Sequence, residues 1–256
     1  MQPWEYPVPP YLHKYLRPER IDVLATGHVR FSQRSVFDDD HELQPDYGAY
    51  GTEQEINRFL AKHVSAENRR MLPDGIARFV ANSAAWQKVL KNIARLSMKS
   101  PDHFGMFCLT ESATSEQMWS EYGDDSRGFV ICFDTAHLGF EQLKTPGRVG
   151  KVSYSDVPFG TYLGAMEEEG AGIFYRKRSK YAFEREWRCI RALGQLEQRT
   201  LDLFFSPFDP ASVVQLFIRA NCQVEAELRQ FVREDERVER DESAHVASVE
   251  ELHHLG

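Results

Sequence analysis

Glu184 and Glu186 stand two residues apart in Tyr181-Ala182-Phe183-Glu184-Arg185-Glu186-Trp187-Arg188, at the head of an apolar run from Trp187 to Leu193. The run predicts a buried strand, Glu186–Leu193. Side chains alternate across a strand, so the two carboxylates should share one face, with Arg185 and Trp187 on the other. Like charges side by side are costly unless something uses them: a cation, a sugar hydroxyl, a metal or a shared proton. A purely structural role competes, in which Glu184 pairs with Arg188 or Lys180 at a solvated strand end.

A second block brings aromatic rings. Gln117-Met118-Trp119-Ser120-Glu121-Tyr122-Gly123-Asp124-Asp125-Ser126-Arg127-Gly128 predicts a short helix and a polar turn, after which Gly128 opens a buried strand. Trp119 and Tyr122 lie three apart, on one helical face. Such a pair packs into a core, or else forms a platform on which a flat ring stacks, with the Tyr122 hydroxyl turned to a ligand.

Metal hydrolysis is a competing chemistry. Asp38, Asp39, Asp40, His41 and Glu42 gather hard oxygen ligands in one loop, and with Glu184 and Glu186 they would build a divalent site for a nuclease or phosphohydrolase. The chain has no HExxH, and acidic loops are ordinarily solvated, so no metal is expected. GxSxG, P-loop and GxGxxG motifs are absent. Arg176-Lys177-Arg178-Ser179-Lys180 is a basic run that would suit a local groove for nucleic acid.

These groups need a scaffold. A proline-rich lead (residues 1–10) precedes a strand around Tyr11–Tyr15. Pro18 opens a helix, Glu19–Ala25, that Gly27 stops, and His28–Ser32 alternates as a second strand. Thr52, with Glu55 three residues on, predicts a capped helix bearing Ile56, Phe59, Leu60 and Val64. Asp74 is expected to cap a second, longer one running to Leu96. Further strands are expected at Phe104–Leu109, Gly128–Phe133, Arg148–Tyr154, Thr200–Phe205 and Val213–Ile218, with helices at Ser115–Tyr122 and Cys222–Val232. The pattern predicts a single α+β domain, residues 11–232, of mainly antiparallel sheets with a helical insertion near 52–98. A charged tail (residues 233–256) follows, in which Val246, Val249 and Leu252 suggest an amphipathic turn.

Bulk properties narrow the function classes. The chain has 256 residues, 42% of them hydrophobic, enough for a substantial core. A net charge of −8 argues against broad binding to DNA or RNA. Cys108, Cys132, Cys189 and Cys222 show no CxxC spacing, and three of them lie in apolar runs as small hydrophobes do. The lead has no hydrophobic signal region and no apolar run is long enough to span a membrane, so a cytoplasmic protein without membrane partners is expected.

"MWSEYGDDSRGFVICFD" followed by "YAFEREWRCI" resembles the bacterial family known as domain of unknown function 2971. "LHKYL" and "CLTES" (Cys108–Ser112) match its other blocks, and the resemblance covers about residues 11–195. The chain departs from the family at Phe37–Glu42, where a "fNDPfE"-like loop has become an acidic one without asparagine or proline. A more distant likeness joins the chain to ADP-ribosyltransferase domains. They share the order of a first strand with His13-Lys14-Tyr15, a helix stopped by Gly27, a strand from His28 to Ser32, and a late strand led by Glu-x-Glu.

The resemblance implies an ADP-ribosyltransferase-like fold and an enzyme that transfers or hydrolyses ADP-ribose from NAD, in the setting of a bacterial toxin or phage-defence effector. Glu186 would hold the ribose 2′-hydroxyl, and Glu184 would orient or deprotonate an acceptor, protein or nucleic acid. His13 or Tyr15 would hold the adenosine ribose, with Ser32 supporting. Tyr122 or Trp119 would stack on nicotinamide, and Arg17, Arg176 or Arg178 would meet the pyrophosphate. Glu186→Gln is then expected to abolish turnover while leaving folding nearly intact. The rival expectation is a non-catalytic module recognising a nucleotide, nucleic acid or protein, with the glutamates held in ion pairs.

Overall fold

The apolar runs Phe104–Thr110, Phe129–Asp134, Glu186–Ala192 and Val213–Ile218 become strands of one antiparallel sheet. The computed structural model describes residues 3–37, 43, 49–97, 100–138, 149–157, 161–163, 171–231, 239–240 and 245–248. The acidic stretch 38–42, Val249 and Leu252 lie outside them.

In chain order the strands are β1 (Tyr11–Leu16), β2 (His28–Phe31), β3 (Phe104–Thr110) and β4 (Phe129–Asp134). Then come β5 (Val149–Lys151), β6 (Ser153–Tyr154), β7 (Arg176–Lys177) and β8 (Glu186–Ala192). The last are β9 (Glu197–Thr200), β10 (Leu203–Pro207), β11 (Val213–Ile218), β12 (Glu239–Arg240) and β13 (His245–Ser248). Eight of them form the main sheet, in the order β12-β13-β11-β4-β1-β3-β8-β5. A second sheet has the order β2-β10-β9, and β6 and β7 make a short parallel pair. The fold is α+β with mainly antiparallel sheets.

One face of the main sheet presents Leu12, Leu16, Phe107, Ile131 and Phe133 to Val29 and Phe31 of β2 and to Val23 and Leu24 of α1 (Asp22–Thr26). Gly27 ends α1 in the left-handed conformation, at a φ of 63°, and so lets β2 turn back over the sheet. The main sheet also contains a seam. β1 pairs with β4 from Tyr11↔Asp134 to Leu16↔Phe129, but with β3 only at His13↔Thr110. Part of the β3 edge that this leaves open is taken by Ser32, just past β2, which exchanges two backbone bonds with Met106 at 2.8 and 2.9 Å.

The helical insertion comprises α2 (Glu53–His63), α3 (Ala66–Arg70), α4 (Ile76–Asn82) and α5 (Ala84–Ser97). Thr52 and Glu55 close a reciprocal capping box on α2, and Glu55 also accepts from Thr161 at 2.6 Å, beside Tyr162 and Leu163, which pack with Ile56 and Ala77 of the insertion. The expected second helix is two. Gly75, left-handed at φ 73°, takes the N-cap position in place of Asp74, and no side chain caps α4. At Ser83 the backbone turns extended, and its carbonyl receives the Gln87 N–H to start α5.

Other differences have local causes. Thr200–Phe205 divides into the hairpin β9–β10 around Leu201-Asp202. The helix expected at Cys222–Val232 shrinks to α7 (Glu225–Leu228) and a 3₁₀ turn, because Cys222 N–H bonds Arg219 O and Gln223 N–H bonds Arg127 O. In the tail, Val246 lies in β13 and pairs with Phe217, so it is in a strand and not in a helical turn.

Candidate functional site

The seam leads into a cavity of about 570 Å³. His13, Lys14 and Tyr15 of β1, Ser32, and Cys108 and Thr110 of β3 line one part of it. Tyr122, at the end of α6 (Glu116–Glu121), lines another part with Glu121, Lys177, Tyr181, Glu184 and Glu186. Register explains part of this convergence. His13 pairs with Thr110, and Thr110 with Glu186, so the three form a row across β1, β3 and β8.

The two glutamates do converge, by a different backbone route from the one expected. Glu184 ends a 3₁₀ turn, Ser179–Glu184, and only Glu186 belongs to the strand. Arg185 between them is left-handed, at φ 44° and ψ 49°. That conformation is unfavourable for a residue with a Cβ. Glu111 stabilises it from the other side, accepting from Arg185 Nη2 at 2.8 Å and from Trp187 Nε1 at 2.9 Å. Arg185 and Trp187 thus face Glu111 while both carboxylates turn into the cavity.

Each carboxylate has its own cation. Arg188, with no exposed surface, donates to Glu186 twice, Nε to Oε1 at 2.8 Å and Nη2 to Oε2 at 3.0 Å. Its Nη1 donates to Phe174 O at 2.7 Å. Lys177 Nζ donates to both oxygens of Glu184, at 2.9 and 2.7 Å, and lies 3.7 Å from Glu186 Oε2. Tyr122 Oη donates to Glu184 Oε1 at 2.6 Å, and the Glu186 N–H donates to Tyr154 Oη at 2.8 Å. The expected partners of Glu184, Arg188 and Lys180, are replaced by Lys177. Arg188 instead serves Glu186, two residues before it on the same strand face.

These neighbours push the two acids apart. Burial, reinforced by the charge of Glu186, raises the Glu184 carboxyl to about 7 in spite of Lys177 and Tyr122. Burial would raise Glu186 too, but Arg188 and then Lys177 outweigh it and hold that group well below the usual carboxylate range. Burial and the Glu184 charge keep the Tyr122 hydroxyl protonated, and burial lowers the pKa of His13, against its contact with Thr110 O at 3.3 Å. A buried acid poised near neutrality beside one locked as an anion is an arrangement suited to proton transfer next to a developing positive charge.

Six of the ten residues given ligand roles from the sequence, His13, Tyr15, Ser32, Tyr122, Glu184 and Glu186, line this one cavity, and Trp119, Arg17, Arg176 and Arg178 do not. Trp119 is fully buried, its indole N–H donates to Ala113 O at 3.0 Å, and its ring packs edge-on against Tyr15, so it is core and not a stacking platform. Arg178 sits at the N-terminal edge of the 3₁₀ turn, where its charge bears on Asp156, and it is not among the cavity-lining residues. The basic run does not act as one groove. Lys177 turns inward, Arg176 bonds Ser155 at 3.2 Å, and Lys180 lies over the Tyr181 ring. Arg17 is exposed.

Lys14, Lys177 and Arg188 carry charge at the site and were not assigned to it from sequence. For Arg188 a signal existed, since Glu-x-Arg within a strand places both side chains on one face. Among the described residues no group of three or more His, Cys, Asp or Glu is placed to hold a metal, and no helix is long and apolar enough to cross a membrane. Set against family models, curated proteins and solved structures, the chain has no match to any of the three.

Proposed function

We propose that the cavity takes NAD and that the chain is an ADP-ribosyltransferase-like or NAD glycohydrolase-like enzyme, related in fold to ADP-ribosyltransferase domains and in sequence to the domain of unknown function 2971 family. A role as a bacterial toxin or phage-defence effector is part of the same reading. The observation that carries it is the pair Glu184 and Glu186 in one cavity, the first with its pKa raised and the second with its pKa lowered, and with Glu186 aligned through Thr110 with His13.

Breaking the bond between ribose C1′ and nicotinamide leaves the electron pair on nicotinamide and positive charge on the sugar. Glu186, held as an anion, offsets that charge from beside the ribose hydroxyls. Glu184 receives the proton of the acceptor, water or a hydroxyl of protein or nucleic acid, as its oxygen bonds to C1′. Tyr122 keeps its proton and holds Glu184 in place, and of the two rings named for nicotinamide, Tyr122 and Trp119, it is the one that lines the cavity. His13, Tyr15 and Ser32 are left to meet the remainder of the nucleotide.

The test is nicotinamide release from NAD by the purified chain, beside Glu184→Gln and with and without EDTA, with cell extract supplied as acceptor. Release that is lost in the variant and indifferent to EDTA supports the reading, while release that EDTA abolishes favours metal hydrolysis. A second reading has its own observation: both carboxylates already have their oxygens engaged by Lys177, Tyr122 and Arg188, as in a recognition module with a structural ion-pair network. No release under any condition, with NAD or ADP still binding, would favour it.

A further inference from the structure

Lys14 is the cavity-lining cation for which the proposed chemistry has no use. It lies on β1 next to the seam, and the seam explains its pose. Where β3 loses β1 as a hydrogen-bonding partner, the carbonyl of Cys108 needs a donor, and Lys14 Nζ supplies one at 2.8 Å. Nζ also lies over the Phe107 ring, 5.4 Å from its centroid. An ammonium has three N–H donors and this contact uses one. Among the described residues no carboxylate forms an ion pair with Lys14, in contrast to Lys177 and Arg188, which are engaged by Glu184 and Glu186.

The surroundings add to this positive potential. Arg20, in the turn after β1, bears on Lys14 and is paired with Asp22, and Arg30 of β2 lies within reach of both Arg20 and Asp202. Arg30 Nε is enclosed with no hydrogen-bond partner. Burial lowers the pKa of Lys14, against the pull of Cys108, Glu186 and Glu184, so the charged form is held at a cost that an arriving anion would relieve. Glu184 and Glu186 act on Lys14 only through space, since their own hydrogen bonds go to Lys177, Tyr122 and Arg188.

We propose that Lys14 anchors a phosphate or pyrophosphate group of the cavity's ligand, its two remaining N–H groups donating to phosphate oxygens. This deepens the NAD reading and rests on it only for the rest of the nucleotide. It also moves the anion-binding role from Arg17, Arg176 and Arg178 to a residue that lines the cavity.

The experiment is calorimetric titration of the full chain with inorganic pyrophosphate, beside Lys14→Gln, Lys14→Arg and Lys180→Gln. The Gln variant keeps an N–H for Cys108 O and removes the charge. Wild type, Lys14→Arg and Lys180→Gln should bind comparably, and Lys14→Gln should bind about tenfold to a hundredfold more weakly, as expected for loss of a charge-assisted hydrogen bond. Should Lys14→Gln fold poorly, the rate at which an acetylating reagent modifies Lys14 in the wild-type chain is read by mass spectrometry and should fall as pyrophosphate is added. No pyrophosphate binding, equal affinity in Lys14→Gln, or an acetylation rate unchanged by pyrophosphate overturns the proposal. Glu184→Gln separates the two readings: it should abolish nicotinamide release yet retain pyrophosphate binding. Binding through Lys14 without any NAD cleavage keeps the anchor and discards the enzyme.

Discussion

Arg188 holds Glu186 through two bonds of 2.8 and 3.0 Å, with the arginine fully enclosed and the glutamate nearly so. Removing one member of a buried pair leaves the other charged and without its partner, at a cost of about 3–5 kcal/mol, whereas replacing both with apolar groups costs far less. Glu186→Gln should therefore destabilise the fold markedly, which revises the expectation that it would spare folding. Glu186→Leu combined with Arg188→Met should recover much of the loss. Urea unfolding of the variants checks this, and a Glu186→Gln chain as stable as wild type would show that the pair contributes little. Glu184→Gln is for the same reason the cleaner probe of chemistry.

Glu184 also gives the protein a pH response of definite sign. Its folded value of about 7 exceeds the 4.5 of an open chain, so its contribution is fully present below about 4.5 and is lost as pH rises through about 7. Glu186 works in reverse: held low, it contributes above 4.5 and loses that contribution only in strong acid. Between pH 5 and pH 8 wild type should therefore lose stability that Glu184→Gln does not, by no more than about 3 kcal/mol. Unfolding free energies of both chains at the two pH values decide it, and parallel slopes would contradict the assignment.

Gly128 opens β4 where two backbones meet. A Cβ there would lie 2.0 Å from Leu16 O, a clash with main chain that no rotamer relieves. Gly128→Ala should cost at least about 3 kcal/mol or prevent folding, while Gly194→Ala, with nothing within 4 Å of the new methyl, should be tolerated. Thermal unfolding of the two variants is the check.

The strands were legible wherever burial is continuous. The runs at Phe104 and Phe129 have no charged or amide side chain before their last residue and that at Val213 has only Gln215, and the ends of these strands differ from expectation by a residue at most. Thr52 with Glu55 was legible because a capping box is written within four residues. Asp74 misled because Gly75, one residue on, can adopt a left-handed conformation and take the cap position itself. At the site, the convergence of His13 with Glu186 could be foreseen only in outline, since it depends on register across β3. The roles of Lys177 and Lys14 were not legible, because nothing local distinguishes Lys177 from Arg176 or Arg178, and Lys14 answers to a gap between strands about a hundred residues apart.

The position of β1 also sets the timing of folding. The strand made first is the fifth of eight across the main sheet, and its long partner, β4, is completed only at Asp134. β8 and β11 arrive later still and cover the flanks of β3 and β4, and β13 then covers β11. A growing chain therefore carries Leu12, Tyr15 and Leu16 without their sheet through the synthesis of the whole helical insertion. Loop closure over such separations makes assembly slow, and unpaired edges persist meanwhile. The site, lined from both β1 and the start of β8, is consequently a late product of biosynthesis, completed only when most of the polypeptide has emerged.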